Sequence, residues 1–130
     1  MRLALWPQHD AADHRRWMAS WLTASDHLVL VVPREGSAGL SAFAEVGTRA
    51  YADGCESSPV AYLEGWYVDA DMRRRGVGAA LVAAAEAWAR ARGLTEFASD
   101  ALLENDTSHR AHHALGFAEV ERQVCYRKAL

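Results

Sequence analysis

A short stretch near the middle of the chain has the residue types of an anion-binding turn. Residues 73–78 have the sequence RRRGVG and stand directly before an apolar run with helical spacing. Glycines at a helix start let a ligand approach the backbone closely, and the free N–H groups of the first turn attract negative charge. A pyrophosphate would suit this turn, and an ordinary helix start is the alternative. The glycine spacing matches neither a P-loop nor a dinucleotide fingerprint.

Two carboxylates stand where a charge needs an explanation. Glu64 interrupts an otherwise apolar stretch, and Asp100 follows the end of a later one. A charge in a central strand is costly to bury unless it is paired or belongs to a site, and ligands bind where strands end at a cleft. Such acidic groups could suit a cation. The alternatives are an outward-facing edge carboxylate and a turn residue.

Hydrophobic periodicity predicts the elements that must position these groups. Their order predicts one α+β (α/β) domain over residues 1–130, in which helices lie on the faces of a single sheet. We predict helices over 11–23, 79–92 and 105–115, strands over 28–32, 40–46, 60–68, 95–99 and 118–127, and a long loop over 47–59.

Composition argues against several classes of protein. The 130 residues carry 14 Lys and Arg against 17 Asp and Glu, which is far from the basic surface of a nucleic-acid binder. No apolar run approaches the roughly 20 residues that span a bilayer, and the start is too quickly polar for a signal peptide. Cys55 and Cys125 lack metal or redox spacing, so we expect a cytoplasmic protein that binds neither nucleic acid nor membrane. A disulfide between these cysteines stays open.

Taken together, the motifs resemble those of a known superfamily. The pattern RxxGxG at 73–78, after a strand and before an apolar helix, is similar to the acetyl-CoA motif of the GNAT superfamily of N-acetyltransferases. Three more segments resemble the aminoglycoside 6'-N-acetyltransferases of that superfamily, in the same order and at similar intervals. They are YLEG at 62–65, EFASD at 96–100 and ALGF at 114–117. The similarity extends over most of the chain.

For the acetyl donor, the resemblance implies a mixed, mostly antiparallel sheet, flanked by helices, whose splayed central strands bind acetyl-CoA without a metal. The main-chain N–H of Val68 would polarise the thioester carbonyl, as an oxyanion contact does. The implied donor-binding residues are Trp66, Tyr67 and Val68 on the strand, Arg73, Arg74, Arg75, Gly76, Val77, Gly78 and Ala79 at the turn, and Asn105 and His112 near the last helix.

For the acceptor, the resemblance favours the 6'-amino group of an aminoglycoside, attacked directly in a ternary complex. Other open readings are a polyamine or protein amine as acceptor, and an acyl-CoA-binding module without catalysis. Glu64, Asp100 and Val68 are the implied catalytic residues, and which carboxylate is the base stays open. The implied substrate-binding residues are Trp6, Tyr51, Glu64, Asp100 and Glu121.

Two further expectations concern the last helix and the chain start. His109, His112 and His113 have a spacing that can offer metal ligands, but no third ligand is evident, and we predict no metal. His112 stands where many relatives have a tyrosine that protonates the leaving thiolate, and its own role stays open. The superfamily's first strand is apparently absent, because the chain opens almost directly on residues 3–6. A missing edge strand leaves an exposed edge, so we expect a homodimer.

Overall fold

Four strands form one sheet and follow each other in chain order. In the computed structural model, which describes residues 1–130, β1 pairs with β2 and β2 with β3 in antiparallel fashion, whereas β3 and β4 are parallel. The strands are β1 (His27–Pro33), β2 (Leu40–Arg49), β3 (Val60–Val68) and β4 (Phe97–Ser99). This mixed, mostly antiparallel sheet confirms the predicted fold class.

Four α-helices accompany the sheet, and side-chain caps fix where two of them begin. Asp10 accepts from the N–H of Asp13 at 2.8 Å, and Asn105 accepts from that of Ser108 at 3.1 Å, so each satisfies a first-turn donor. None of the helices combines the length and apolar composition needed to cross a membrane. The helices are α1 (Arg2–Leu5), α2 (Ala11–Thr23), α3 (Val77–Ala91) and α4 (Asp106–Ala114), with a 3-10 turn at Ala70–Met72.

The core lies between the sheet and the apolar face of α3. Leu81, Val82 and Ala85 pack against small or branched side chains of β2 and β3, which include Ala44 and Leu63. Fully burying a leucine or valine contributes about 1.5–3 kcal/mol, so this contact fixes α3 on the sheet. The start of α3 is thereby fixed beside the end of β3.

A β-bulge in β3 determines which face its side chains occupy. Glu45 of β2 is opposite Gly65, and the next residue, Val46, is opposite Leu63, so Glu64 is the extra residue. Beyond the bulge, alternation places Gly65 against Trp6 on the face that carries α1, and Trp66 against Gly78 of α3 on the other. The sheet therefore has an α1 side, which Gly65 faces, and an α3 side, which Trp66 faces.

Several predicted boundaries are wrong, and the last strand is absent. Residues 118–127 form no strand: no backbone–backbone hydrogen bond involves residues 118–130, all of which are exposed. Their alternating sequence suits a strand, but no neighbouring strand provides the partner that a ladder requires. The predicted strand 95–99 is shorter, because its pairing with β3 is limited to Phe97–Ser99. β2 continues to Arg49, which shortens the predicted loop, and α3 begins at Val77.

Gly65 should tolerate no side chain, because a Cβ there would lie 2.4 Å from the Trp6 ring. We expect Gly65→Ala to lower the free energy of unfolding by about 1–3 kcal/mol through overpacking, measured by urea denaturation. Gly39→Ala is the control, since its Cβ would meet only the Ser37 hydroxyl at 3.4 Å. Equal stability of the two variants would contradict the packing described here.

Candidate active site

β3 and β4 pair only briefly and then part, which opens a gap in the sheet. The pairs are Ala61–Phe97, Tyr62–Ala98 and Leu63–Ser99. Beyond them, residues 64–68 of β3 have no neighbour on the β4 side, although they remain paired with β2 on the other. The end of β3 is therefore a strand edge inside the molecule.

Hydrogen bonds at the end of β3 show which main-chain groups face this gap. The N–H of Asp69 donates to Ser41 of β2 at 2.9 Å, so the main-chain groups of the preceding residue, Val68, point the opposite way. The carbonyl of Val68 accepts from Arg73 Nε at 2.9 Å on that side. By the same alternation, the main chain of Trp66 faces the gap, whereas that of Tyr67 faces β2.

The turn after β3 has the geometry of an anion site. Gly76 precedes α3 in the left-handed conformation, with φ at 80°, and Arg74 also has a positive φ of 60°. The first hydrogen bond into the helix comes from Ala80, so the N–H groups of Val77, Gly78 and Ala79 have no helical acceptor. A Cβ on Gly78 would lie 2.9 Å from the Trp66 ring, so glycine allows α3 to begin against β3. The exposed guanidinium groups of residues 73–75 surround this start.

α4 closes the gap opposite β3 and brings His112 to its wall. His112 Nε2 lies 3.0 Å from the Ser99 hydroxyl, and Nδ1 lies 2.8 Å from the Ser108 carbonyl. Its ring meets Trp66 edge-on, with centroids 5.7 Å apart. Both ring nitrogens therefore have partners within the chain. Asn105, also predicted to contact the donor, uses its side chain to cap α4.

Glu64 and Asp100 are each held by a neighbour. Arg49 Nε donates to Glu64 Oε1 at 2.8 Å, and Arg49 Nη2 forms a second, shorter contact with Oε2. The Tyr62 hydroxyl donates to Asp100 Oδ1 at 2.8 Å. The Arg49 guanidinium lies over the Tyr62 ring, 3.4 Å from its centroid, and so links the two carboxylates. Neither Arg49 nor Tyr62 carries a signal in the sequence that predicts a role at the site.

These contacts favour the protonated form of both Arg49 and Tyr62. Burial alone would lower the pKa of Arg49, but the hydrogen bonds and charge of Glu64 raise it above the ordinary value. Burial raises the pKa of Tyr62 well above its usual range, and the hydrogen bond to Asp100 raises it further. Arg49 is therefore a cation and Tyr62 a neutral donor at physiological pH.

The predicted acceptor residues line two clefts rather than one. Trp6 and Glu64 line a cleft of about 480 Å³ between α1, α2 and the sheet. Asp100 and Glu121 line a larger cleft of about 820 Å³ between β4, α4 and the C-terminal tail. Tyr51 lines neither; it is exposed, and its hydroxyl donates to Asp53 at 2.9 Å.

The loop 50–59, which carries Tyr51, is fastened at two points. At its far end the Glu96 carboxylate accepts from the Ser57 N–H at 2.6 Å and the Ser57 hydroxyl at 2.5 Å, and from the Glu56 N–H. Nearer its start, Asp53 accepts from Gln123 of the tail at 2.8 Å. Hydrogen bonds therefore connect the loop both to the residue that precedes β4 and to the tail.

The parted strands and the arginine-rich helix start define the protein class. The acetyltransferase (GNAT) family matches residues 1–117, and the chain belongs to this family. Within it, the chain is similar to enzymes named aminoglycoside N(6')-acetyltransferases. It is 47% identical to the type 1 enzyme of Klebsiella aerogenes, over all of this chain and 87% of the relative. It is 48% identical to that of Serratia marcescens, over all of this chain and 89% of the relative.

Solved structures agree with this assignment. AAC(6')-Iy, in complex with the bisubstrate analogue CoA-S-monomethyl-acetylneamine, superposes with a TM-score of 0.92 at 38% identity, over 100% of this chain and 88% of the other. AAC(6')-Ih from Acinetobacter baumannii gives 0.91 at 40% identity, over 99% and 87%. The comparisons confirm the resemblance, the fold class and the prediction of an N-acetyltransferase.

The Glu96 contacts predict a pH-dependent stability. The Ser57 hydroxyl, followed by the Ser57 and Glu56 N–H groups, lowers the pKa of Glu96 below its ordinary 4.5. A lowered folded-state pKa gives stability that is present above the unfolded-state pKa and is lost as pH falls through the folded-state value. We expect Glu96→Gln to lower the melting temperature at pH 7 and to match the parent near pH 3. Glu104 is exposed and its side chain has no hydrogen-bond or ion-pair partner, so Glu104→Gln should have the parental melting temperature at every pH. A difference in melting temperature between Glu96→Gln and the parent that does not depend on pH would refute the role of Glu96.

Proposed function

We propose that this enzyme transfers the acetyl group of acetyl-CoA to the 6'-amino group of an aminoglycoside, by direct attack in a ternary complex. The observation that carries the proposal is that the bulge in β3 directs functional groups towards both faces of the sheet. An open strand edge and an anion-binding helix start lie towards α3, whereas Glu64 lies towards α1. The relatives named above, whose names specify N(6') acetylation, support the choice of acceptor.

On the donor side, the residues present fit an extended thiol ester that carries a pyrophosphate. The outward main-chain groups of Trp66 and Val68 would pair with the amide-bearing arm as a neighbouring strand does. The N–H groups of Val77, Gly78 and Ala79 would hold the pyrophosphate, with Arg73, Arg74 and Arg75 supplying charge. Gly76 allows the turn, and Asn105 and His112 would shape the walls. The Tyr67 ring instead stacks on Phe43 of β2, with centroids 6.4 Å apart, on the α1 side. Bound acetyl-CoA supplies the activated acyl group.

Val68 would provide the electrophilic contribution. Its N–H faces the gap, where a hydrogen bond to the thioester oxygen would strengthen as negative charge develops on that oxygen. The amine nitrogen would then form the new C–N bond while the C–S bond breaks. As the amide forms, the nitrogen gives up a second proton and the departing thiolate takes up one proton, so the products are a neutral amide and a free thiol. His112, at the wall of the gap, would relay this proton.

On the acceptor side, Glu64 and Asp100 would bind the cationic substrate and remove the ammonium proton. Deprotonation must come first, because only the free amine has the lone pair that attacks. Trp6 would pack against the sugar rings. Tyr51 and Glu121 would contact more distant rings, since the loop and tail that carry them meet at Asp53.

The product supports a role in antibiotic resistance. An acetylated amine is a neutral amide, so it can no longer form the ion pairs of the original ammonium. We place the enzyme in the cytoplasm, since Cys55 and Cys125 are both free, as is usual in a reducing compartment.

The activity test follows free thiol release from acetyl-CoA with a panel of amines. We expect release with kanamycin and tobramycin, but not with an aminoglycoside that has a hydroxyl at the 6' position. Release only with spermidine or a lysine peptide would show that the acceptor is a polyamine or a protein amine instead of an aminoglycoside. Binding of CoA without release on any amine would indicate a non-catalytic module.

The carboxylates can be tested with the same assay. We expect the double variant Glu64→Gln, Asp100→Asn to lose at least about 100-fold in kcat/KM for kanamycin, because neither amide can accept the proton. Binding of CoA, measured by calorimetry, should stay unchanged and so report correct folding. The control Glu35→Gln, at an exposed residue outside both clefts, should keep parental turnover. Parental turnover by the double variant would refute both roles.

We also propose that the enzyme is a homodimer. β1 has a neighbour on one side only, and the tail exposes Val120, Val124 and Tyr126, with 65%, 70% and 93% of their surface accessible. Alternating apolar residues on an unpaired segment suit a strand or face that a second copy covers.

The dimer predicts a specific sedimentation result. We expect the parent to sediment as a dimer and Val124→Lys to dissociate at micromolar concentration, because a buried lysine is costly at such an interface. Leu22→Lys, at a similarly exposed position of α2 (68%), should remain dimeric. A monomeric parent would overturn the proposal.

A further inference from the structure

We propose that Arg49 is an internal competitor of the acceptor, whose guanidinium occupies the ammonium position of the acceptor site until a polycationic substrate displaces it. The inference rests on the proposed function and adds a residue to it. It concerns the last residue of β2, which is joined to Glu64 across the bulge of β3.

The contacts of Arg49 are those that a ligand ammonium would seek. Both oxygens of Glu64 accept from its guanidinium, and the Tyr62 ring lies beneath it at 3.4 Å. A carboxylate beside an aromatic face is a favourable site for a cation. Because Tyr62 also donates to Asp100, the same guanidinium lies between the two carboxylates assigned to the acceptor.

Charge pairing within the Glu64 cleft singles out the same residue. The lining contains two complete ion pairs, Arg2 with Glu45 and Arg16 with Asp13. Glu64 also lines the cleft, but its partner Arg49 does not. When Arg49 withdraws, Glu64 is the one lining carboxylate without a cation. A substrate ammonium can then replace the guanidinium without breaking either of the other pairs.

The accessibility of the pair makes this exchange feasible. The side chain of Arg49 is 43% accessible, whereas that of Glu64 is 23% accessible. The cation can therefore move into water while the carboxylate stays in place, and a partly exposed ion pair is weak enough to exchange. Arg49 ends its strand, so its side chain can swing away without disturbing the ladder.

Competition with an internal cation lowers the net affinity of every acceptor by the same factor. A monoamine replaces one cation by another, so little net binding remains. An aminoglycoside carries several ammonium groups, and those that contact other residues provide binding beyond the exchange at Glu64. Arg49 would therefore raise the concentration at which each amine binds, and only polycations would displace it at low concentration.

The test compares Arg49→Met, which keeps the length of the side chain but removes the charge, with the parent. The acceptors are kanamycin and 6-amino-6-deoxyglucose, a sugar with one ammonium group. We expect Arg49→Met to lower KM for both acceptors by a similar factor, about tenfold or more, with kcat unchanged. Arg110→Met, at an exposed arginine outside both clefts, should leave both KM values unchanged.

A purely structural role for Arg49 gives a different result. If the arginine only holds Glu64 in place, Arg49→Met should lower kcat for both acceptors by the same factor and leave their KM values unchanged. That result would overturn the inference. Arg49→Lys, which keeps the charge but not the paired hydrogen bonds, should keep KM for both acceptors close to the parental values.

A second measurement does not depend on turnover. The Arg49 Nε–H signal, assigned through Arg49→Met, can be followed by ¹⁵N NMR during titration with kanamycin or spermidine. We expect either polycation to shift this signal towards that of a solvated arginine, whereas propylamine at equal charge concentration leaves it in place. An unmoved signal at saturation would refute displacement. Displacement without acetylation would refute the proposed activity and leave the inference standing.

Discussion

The extra residue of β3 is the constraint on which the arrangement of the site depends. Without a bulge, strict alternation would put Glu64 and Trp66 on one face of the sheet. With Glu64 inserted opposite Glu45, Glu64 and Gly65 both face α1, and Trp66 faces α3. In the proposed mechanism, one strand thereby serves two ligands that approach from opposite faces, and their reacting ends meet at the gap beside β4.

Charge is arranged differently on the two sides of the same strand. The α3 side offers unpaired N–H groups and three arginines, whereas Glu45 and Glu64 on the α1 side are paired with Arg2 and Arg49. At the boundary, Arg34 binds Asp69 and Asp71 at 2.6 and 2.7 Å, on the link between β3 and the arginine-rich turn. These ion pairs neutralise the acidic residues that stand nearest to the anion site. The positive field of the turn is therefore preserved despite the net negative charge of the chain.

Local sequence determines some elements almost completely and others hardly at all. Helix 11–23 and strand 60–68 have the predicted bounds, because a capping residue or a dense run of β-formers acts over a few positions. Residues 118–127 have equally good alternation, but a strand also needs a free neighbour, which no local pattern reports. Glu64 and Asp100 stood out as charges in unusual positions. Arg49 did not, because its pairing depends on a strand register and a bulge that one sequence does not reveal.

The sheet topology also has a consequence for the order of folding. β1, β2 and β3 form a meander of neighbouring strands, with pairs such as Leu30 and Ala44, whereas the pairing of Leu63 with Ser99 must enclose all of α3. Closing the longer loop costs more chain entropy before any contact rewards it. The meander can therefore assemble first and the gap beside β4 last. A donor that binds only after this final step would stabilise the fully folded chain against unfolding. The cellular supply of acetyl-CoA would therefore influence how long newly made chains remain folded.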